Sequence, residues 1–119
     1  MANEISIKIG VNIQNGDLKE QINDSFSVTQ DAVGGPTPGY VTIGTSEESQ
    51  AFSELSTLGW VHIKNLDSTN YVQWGFATGA YGGRIEAGET ATFRLEPSTT
   101  LYMVANTAAC KVLIKAFED

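Results

Sequence analysis

Between Ile5 and Ile13 the chain alternates apolar and polar residues without a break: Ile5, Ile7, Ile9, Val11 and Ile13 against Ser6, Lys8, Gly10 and Asn12. A period of two on β-branched side chains predicts a half-buried strand, because successive side chains in a strand point to opposite faces. A helix would scatter the same five residues around its circumference. Asn15-Gly16 then supplies a turn. Leu18 to Val28 alternates less cleanly, with Ile22, Phe26 and Val28 on one side and Asp24 intruding among them. The run Gly34-Gly35-Pro36-Thr37-Pro38-Gly39 reads as a crossing between strands, and Tyr40 to Thr45 resumes strand character. In 46–55 two patterns compete. Thr45 with Glu48 suits a capping box opening a short helix, whereas Ala51, Ser53 and Leu55 suit one face of an edge strand. The strand-rich surroundings favour the strand.

Strands are expected next at Trp60–Leu66, Tyr71–Ala77, Arg84–Ala87, Thr90–Glu96, Leu101–Asn106 and Lys111–Phe117. Gly, Asn, Ser and Thr clusters separate them at the spacing of about 8–12 residues typical of sandwiches and barrels. Nine or ten short strands predict an all-β chain of two packed antiparallel sheets, a jelly-roll-like Greek key. At 119 residues the whole chain, 1–119, reads as a single sandwich domain.

The segment GWVHIKNLDSTNYVQWG, residues 59–75, holds both tryptophans and the sole histidine. Read as a hairpin closed by Asp67-Ser68-Thr69-Asn70, it pairs Ile63 with Trp74 and His62 with Gly75. One face then carries Val61, Ile63, Val72, Trp74 and Phe76, a core face that Phe93 and Leu95 join from the Thr90–Glu96 strand. The other carries Trp60, His62, Lys64, Tyr71 and Gln73. A slip of one residue would mix the two sets, so the pattern selects the register. Trp60, Tyr71 and the more distant Tyr40 are therefore expected as contact residues, since aromatics bury much area with few rotors. His62 and Lys64 stand among them.

Catalytic chemistry finds little to build on. Cys110 is the only cysteine, so it forms no internal disulfide, and His62 is the only histidine that could activate it. Metal binding would need more ligands than one histidine supplies. The glycines of Gly75–Gly79 and Gly82-Gly83 precede no helix, so they imply no phosphate cradle. The carboxylates Glu47, Glu48, Glu86 and Glu89 are scattered over turns and strand ends. No enzyme activity, cofactor or metal is expected. Seven basic residues against fourteen acidic ones, a formal charge of −7, disfavour nucleic acid and anionic membranes as partners. The N-terminus lacks the basic and apolar regions of a signal peptide, so synthesis in a cytoplasm is expected.

These motifs resemble a group of small structural proteins of tailed-bacteriophage virions. The resemblance rests on Gly59, Asn65-Leu66-Asp67, Asn70-Tyr71-Val72, Gly75, Gly88-Glu89, Arg94-Leu95, Leu101-Tyr102 and the closing Glu118-Asp119, and it covers about the last half of the chain. It implies a non-enzymatic virion protein: a capsid decoration (cement) protein foremost, otherwise a minor capsid, collar or tail component. On this reading the partners are further copies of the chain, with a homotrimer favoured, and the major capsid or other virion proteins. The first strand, residues 1–13, would serve as a clasp on a neighbouring subunit. A carbohydrate-binding sandwich, with Trp60 and Tyr71 as a stacking platform, is the alternative; a glycan partner is not favoured.

Overall fold

The computed structural model describes residues 3–119. They form ten strands and no helix: β1 (Ile5–Asn15), β2 (Leu18–Val28), β3 (Thr37–Ile43), β4 (Glu48–Gln50), β5 (Leu58–Asn65), β6 (Val72–Gly75), β7 (Gly83–Ile85), β8 (Thr90–Arg94), β9 (Leu101–Ala105) and β10 (Cys110–Glu118). The chain divides into two units, Met1–Ala32 and Val33–Asp119. Strands β1 and β2 fall in the first unit and β3 to β10 in the second.

The first unit is a single antiparallel hairpin. Its register runs without interruption from Ile5 opposite Val28 to Asn15 opposite Leu18. Gly16 turns the chain at φ +59°, a left-handed value that glycine adopts without steric cost. This register puts Ile5, Ile7, Ile9, Val11 and Ile13 on the same face as Leu18, Ile22, Phe26 and Val28.

In the second unit the sheets have the strand orders β3-β10-β5-β8 and β4-β9-β6-β7. All the pairings are antiparallel. Chain-distant strands lie side by side, and the order is that of a jelly roll. The core forms between the two inner faces. One sheet contributes Ile43, Val61, Ile63, Val112 and Ile114, the other Val72, Ile85, Leu101 and Met103, all essentially inaccessible to water. In β10, Cys110, Val112, Ile114 and Ala116 are buried while Lys111 and Lys115 are exposed. That alternation is what one wet face and one packed face require.

The expected hairpin across residues 59–75 is not formed. β5 pairs with β10 and β8, whereas β6 pairs with β9 and β7 in the opposite sheet. The Asp67–Asn70 segment is thus an arch from one sheet to the other. Parity placed Val61, Ile63 and Val72 inside correctly because the arch turns inward-facing residues toward each other across the core. Leu95 is also buried. Trp74 and Phe93 are half-buried and pack against the core, their rings stacked at 4.7 Å. Phe76 is not a core residue. It is 50% exposed, because β6 ends at Gly75 and the alternation ends with it.

In 46–55 the strand preference holds for Glu48–Gln50 only. Ala51, Ser53 and Leu55 do not line a strand face; the chain turns there, with Leu55 N donating to Phe52 O at 3.0 Å. Glu48 accepts from Gly44 N at 2.6 Å and opens no helix.

Gly83 has no room for a side chain. A Cβ there would lie 2.1 Å from the Trp74 ring, which rests on the glycine backbone. Gly83→Ala should therefore push the indole off its seat and cost about 1–3 kcal/mol by overpacking. A lower urea midpoint together with a shifted Trp74 indole resonance would verify it.

Candidate protein-contact surface

The residues expected to make contacts do not share one face. Trp60, His62 and Lys64 alternate outward along β5, and the register extends their rows across the sheet. Lys64 lies beside Leu113, which lies beside Tyr40; His62 lies beside Lys115, which lies beside Pro38; Trp60 lies beside Arg94. Tyr40 is 70% exposed. The outer face of β3-β10-β5-β8 thus gathers four of the expected contact residues. Tyr71 belongs to the other sheet, where its backbone continues the β6–β9 pairing through Asn106. The Arg84 guanidinium covers its ring at 3.9 Å.

Charge distinguishes this outer face. Lys64, Arg94, Lys111 and Lys115, four of the seven basic residues in the chain, stand on it. Along the paired stretches 38–42, 60–64, 90–94 and 111–115 no outward position is acidic; Glu118, opposite Leu58, lies past the irregularity at the end of β10. At the rim, Arg94 meets Asp119 at 3.2 Å and lies 5.2 Å from the Trp60 ring centroid. His62 Nδ1 and Thr92 Oγ1 share a hydrogen bond at 2.5 Å. A chain of net charge −7 therefore carries a concentrated basic face dotted with apolar and aromatic side chains. Sequence parity along β5 identified Trp60, His62 and Lys64. It could not supply Lys111, Leu113 and Lys115, which come from the far end of the chain.

Two polar knots brace the loops. In the arch, Asn65 is fully buried. Its amide donates to Asn70 O at 2.9 Å and Ile85 O at 3.1 Å, and its Oδ1 accepts from Asp67 N at 3.0 Å. Asp67 Oδ2 in turn accepts from Asn70 N at 2.6 Å and Thr69 N at 2.9 Å. The backbone donors of Asn70 and Thr69 hold the Asp67 carboxyl below its usual range. Short Asx side chains thus fold back on the backbone of the turn.

The second knot is centred on Glu47, which accepts hydrogen bonds from the Thr78 hydroxyl, the Tyr81 hydroxyl and Gly79 N. These donors, Thr78 foremost, lower the Glu47 pKa, and the carboxylate raises that of Tyr81. A carboxyl whose folded pKa is depressed stabilises the fold above its ordinary range, and that contribution vanishes as pH falls through the depressed value. The sandwich should thus lose stability progressively below about pH 4, the ordinary carboxylate range. Glu47→Gln should be less stable at pH 6 and lose less between pH 6 and pH 3. Urea midpoints at the two pH values measure this.

Among the described residues, the cysteine, the histidine and the remaining carboxylates named above stand apart. Cys110 is buried and faces the core, its Sγ 3.7 Å from Ala108 O. Burial raises its pKa. His62 lies on the opposite face of the same sheet, so the two do not meet. Glu86 pairs with Arg84 at 3.6 Å, and Glu89 accepts from Glu86 N at 2.9 Å. Among the described residues, no three His, Cys, Asp or Glu side chains converge as metal ligands would.

No family model matches the chain, and neither a curated protein nor a solved structure is significantly similar to it.

Proposed function

We propose that this chain is a non-enzymatic virion structural protein of a tailed bacteriophage, self-associating and docking on the particle, foremost as a capsid decoration protein. The sequence resemblance supplies the setting. The observation that carries the assembly is the hairpin Ile5–Val28. Ile9, Val11, Ile13, Leu18, Ile22 and Phe26 lie on one of its faces and are each at least 39% exposed. A two-stranded hairpin is marginal in water by itself, and an exposed apolar strip of this kind on a soluble protein marks an interaction site. Its opposite face is polar throughout, with Ser6, Lys8, Asn12, Lys19, Gln21, Asn23 and Ser25. Burial of one face in an assembly accounts for both.

The strip extends the clasp expected for residues 1–13 across the whole hairpin; Met1 and Ala2 lie outside the described residues. A glycan platform of Trp60 with Tyr71 is not assembled, since the two rings belong to different sheets. The test is native mass by sedimentation across a dilution series, followed by binding to chain-depleted particles. A concentration-resistant oligomer, a trimer foremost, that saturates such particles is expected. A monomer at every concentration overturns the self-association.

A further inference from the structure

We infer that the apolar face of the hairpin in one copy packs on the outer face of β3-β10-β5-β8 in a second copy, with Glu20 and Asp24 meeting Lys64 and Lys115. This inference rests on the self-association proposed above and names its two surfaces. The hairpin register places Glu20 opposite Ile13 and Asp24 opposite Ile9, so both carboxylates stand on the apolar face. The two lysines of the hairpin, Lys8 and Lys19, stand on the other face. The strip is therefore apolar and acidic, with no cation of its own.

Such a face does not suit a copy of itself. Stacking two of them would press Glu20 and Asp24 against isoleucines or against each other, and a buried carboxylate without a cation costs several kcal/mol. The outer face of β3-β10-β5-β8 has the complementary composition, with Tyr40 and Leu113 among lysines and no outward carboxylate along 38–42, 60–64, 90–94 and 111–115. Opposite fields of this kind set register and exclude the wrong pairing. At about 3.4 Å per residue, strands of eleven residues reach about 37 Å, ample to cross four strands spaced about 4.8 Å apart. The contact uses different surfaces on the two copies, so a head-to-tail arrangement of them gives a ring where the rotation between neighbours closes. A ring of three is the trimer favoured above.

A charge exchange in the full-length chain tests it. Glu20→Lys with Asp24→Lys gives one variant, and Lys64→Glu with Lys115→Glu gives another. All four positions are exposed, and circular dichroism with urea melts checks that both variants fold. Each alone should associate roughly 100-fold more weakly than wild type, because like charges then face each other across the contact. A chain carrying all four changes should regain the wild-type mass, because acid and base again meet at every contact. If either variant associates as tightly as wild type, or the chain carrying all four changes does not regain association, the pairing is overturned while self-association stands. A wild-type chain that is monomeric throughout overturns both.

Discussion

Asn65→Asp should lower the unfolding free energy by roughly 3–5 kcal/mol at pH 7, the largest loss expected from a single isosteric change in this chain. The wild-type amide lies at 0% exposure and donates to two carbonyls, Asn70 O in the arch and Ile85 O in the opposite sheet. A carboxylate cannot donate to either. It would hold its charge beside two carbonyl oxygens in a dry site, and each carbonyl would lose its partner at about 1–3 kcal/mol. Asn65→Ala removes the same donors without adding a charge and should cost less. The two variants also differ in pH dependence. Burial raises the pKa of the introduced carboxyl, so its folded form is favoured at low pH and penalised as pH rises through the raised value. Relative to wild type at the same pH, Asn65→Asp should therefore recover between pH 7 and pH 5, and Asn65→Ala should not. Urea denaturation of both at the two pH values decides it. Equal deficits at both pH values would mean that the introduced carboxyl has reached solvent.

Replacing Ile9 and Val11 together by asparagine should weaken self-association at least ~100-fold while leaving the urea midpoint of the sandwich unchanged. Each replacement removes a side chain whose burial contributes about 1.5–3 kcal/mol, and the two losses together correspond to a factor of that size. Ile9 and Val11 belong to the unit Met1–Ala32, whereas the core that sets the sandwich's stability lies in Val33–Asp119. Sedimentation and denaturation therefore read two separate quantities. Undiminished association would remove the hairpin strip from the interface. A matching fall in the urea midpoint would mean that the strip contributes to folding of the sandwich.

Much of the local structure was legible because strand geometry is written in a period of two. The Ile5–Ile13 alternation became β1, the strand expected at Lys111–Phe117 became most of β10, and Asn15-Gly16 became the hairpin turn. Leu18–Val28 looked irregular only because Asp24 and Glu20 share a face with Ile22 and Phe26. The error at residues 59–75 has the same origin as the successes. Parity states which side of a strand faces inward; it does not state whether the next strand lies beside it or across from it. Val61, Ile63 and Val72 are buried under either arrangement. Trp60 and Tyr71 share a face under only one of them.

By itself the sequence determined the all-β class, the near-complete set of strands and the inward parity of β5. All of these depend on residues within about ten positions of each other. The tertiary structure decided which strands are neighbours. It placed β10 between β3 and β5, and so assembled Tyr40, Leu113, Lys64, His62 and Lys115 into one basic face from three distant segments. It also put the most regular apolar alternation in the chain in a hairpin of its own, paired strand to strand from Ile5 to Val28. Alternation records that a face must be dry, and the same alternation serves whether the covering atoms belong to the same chain or to another.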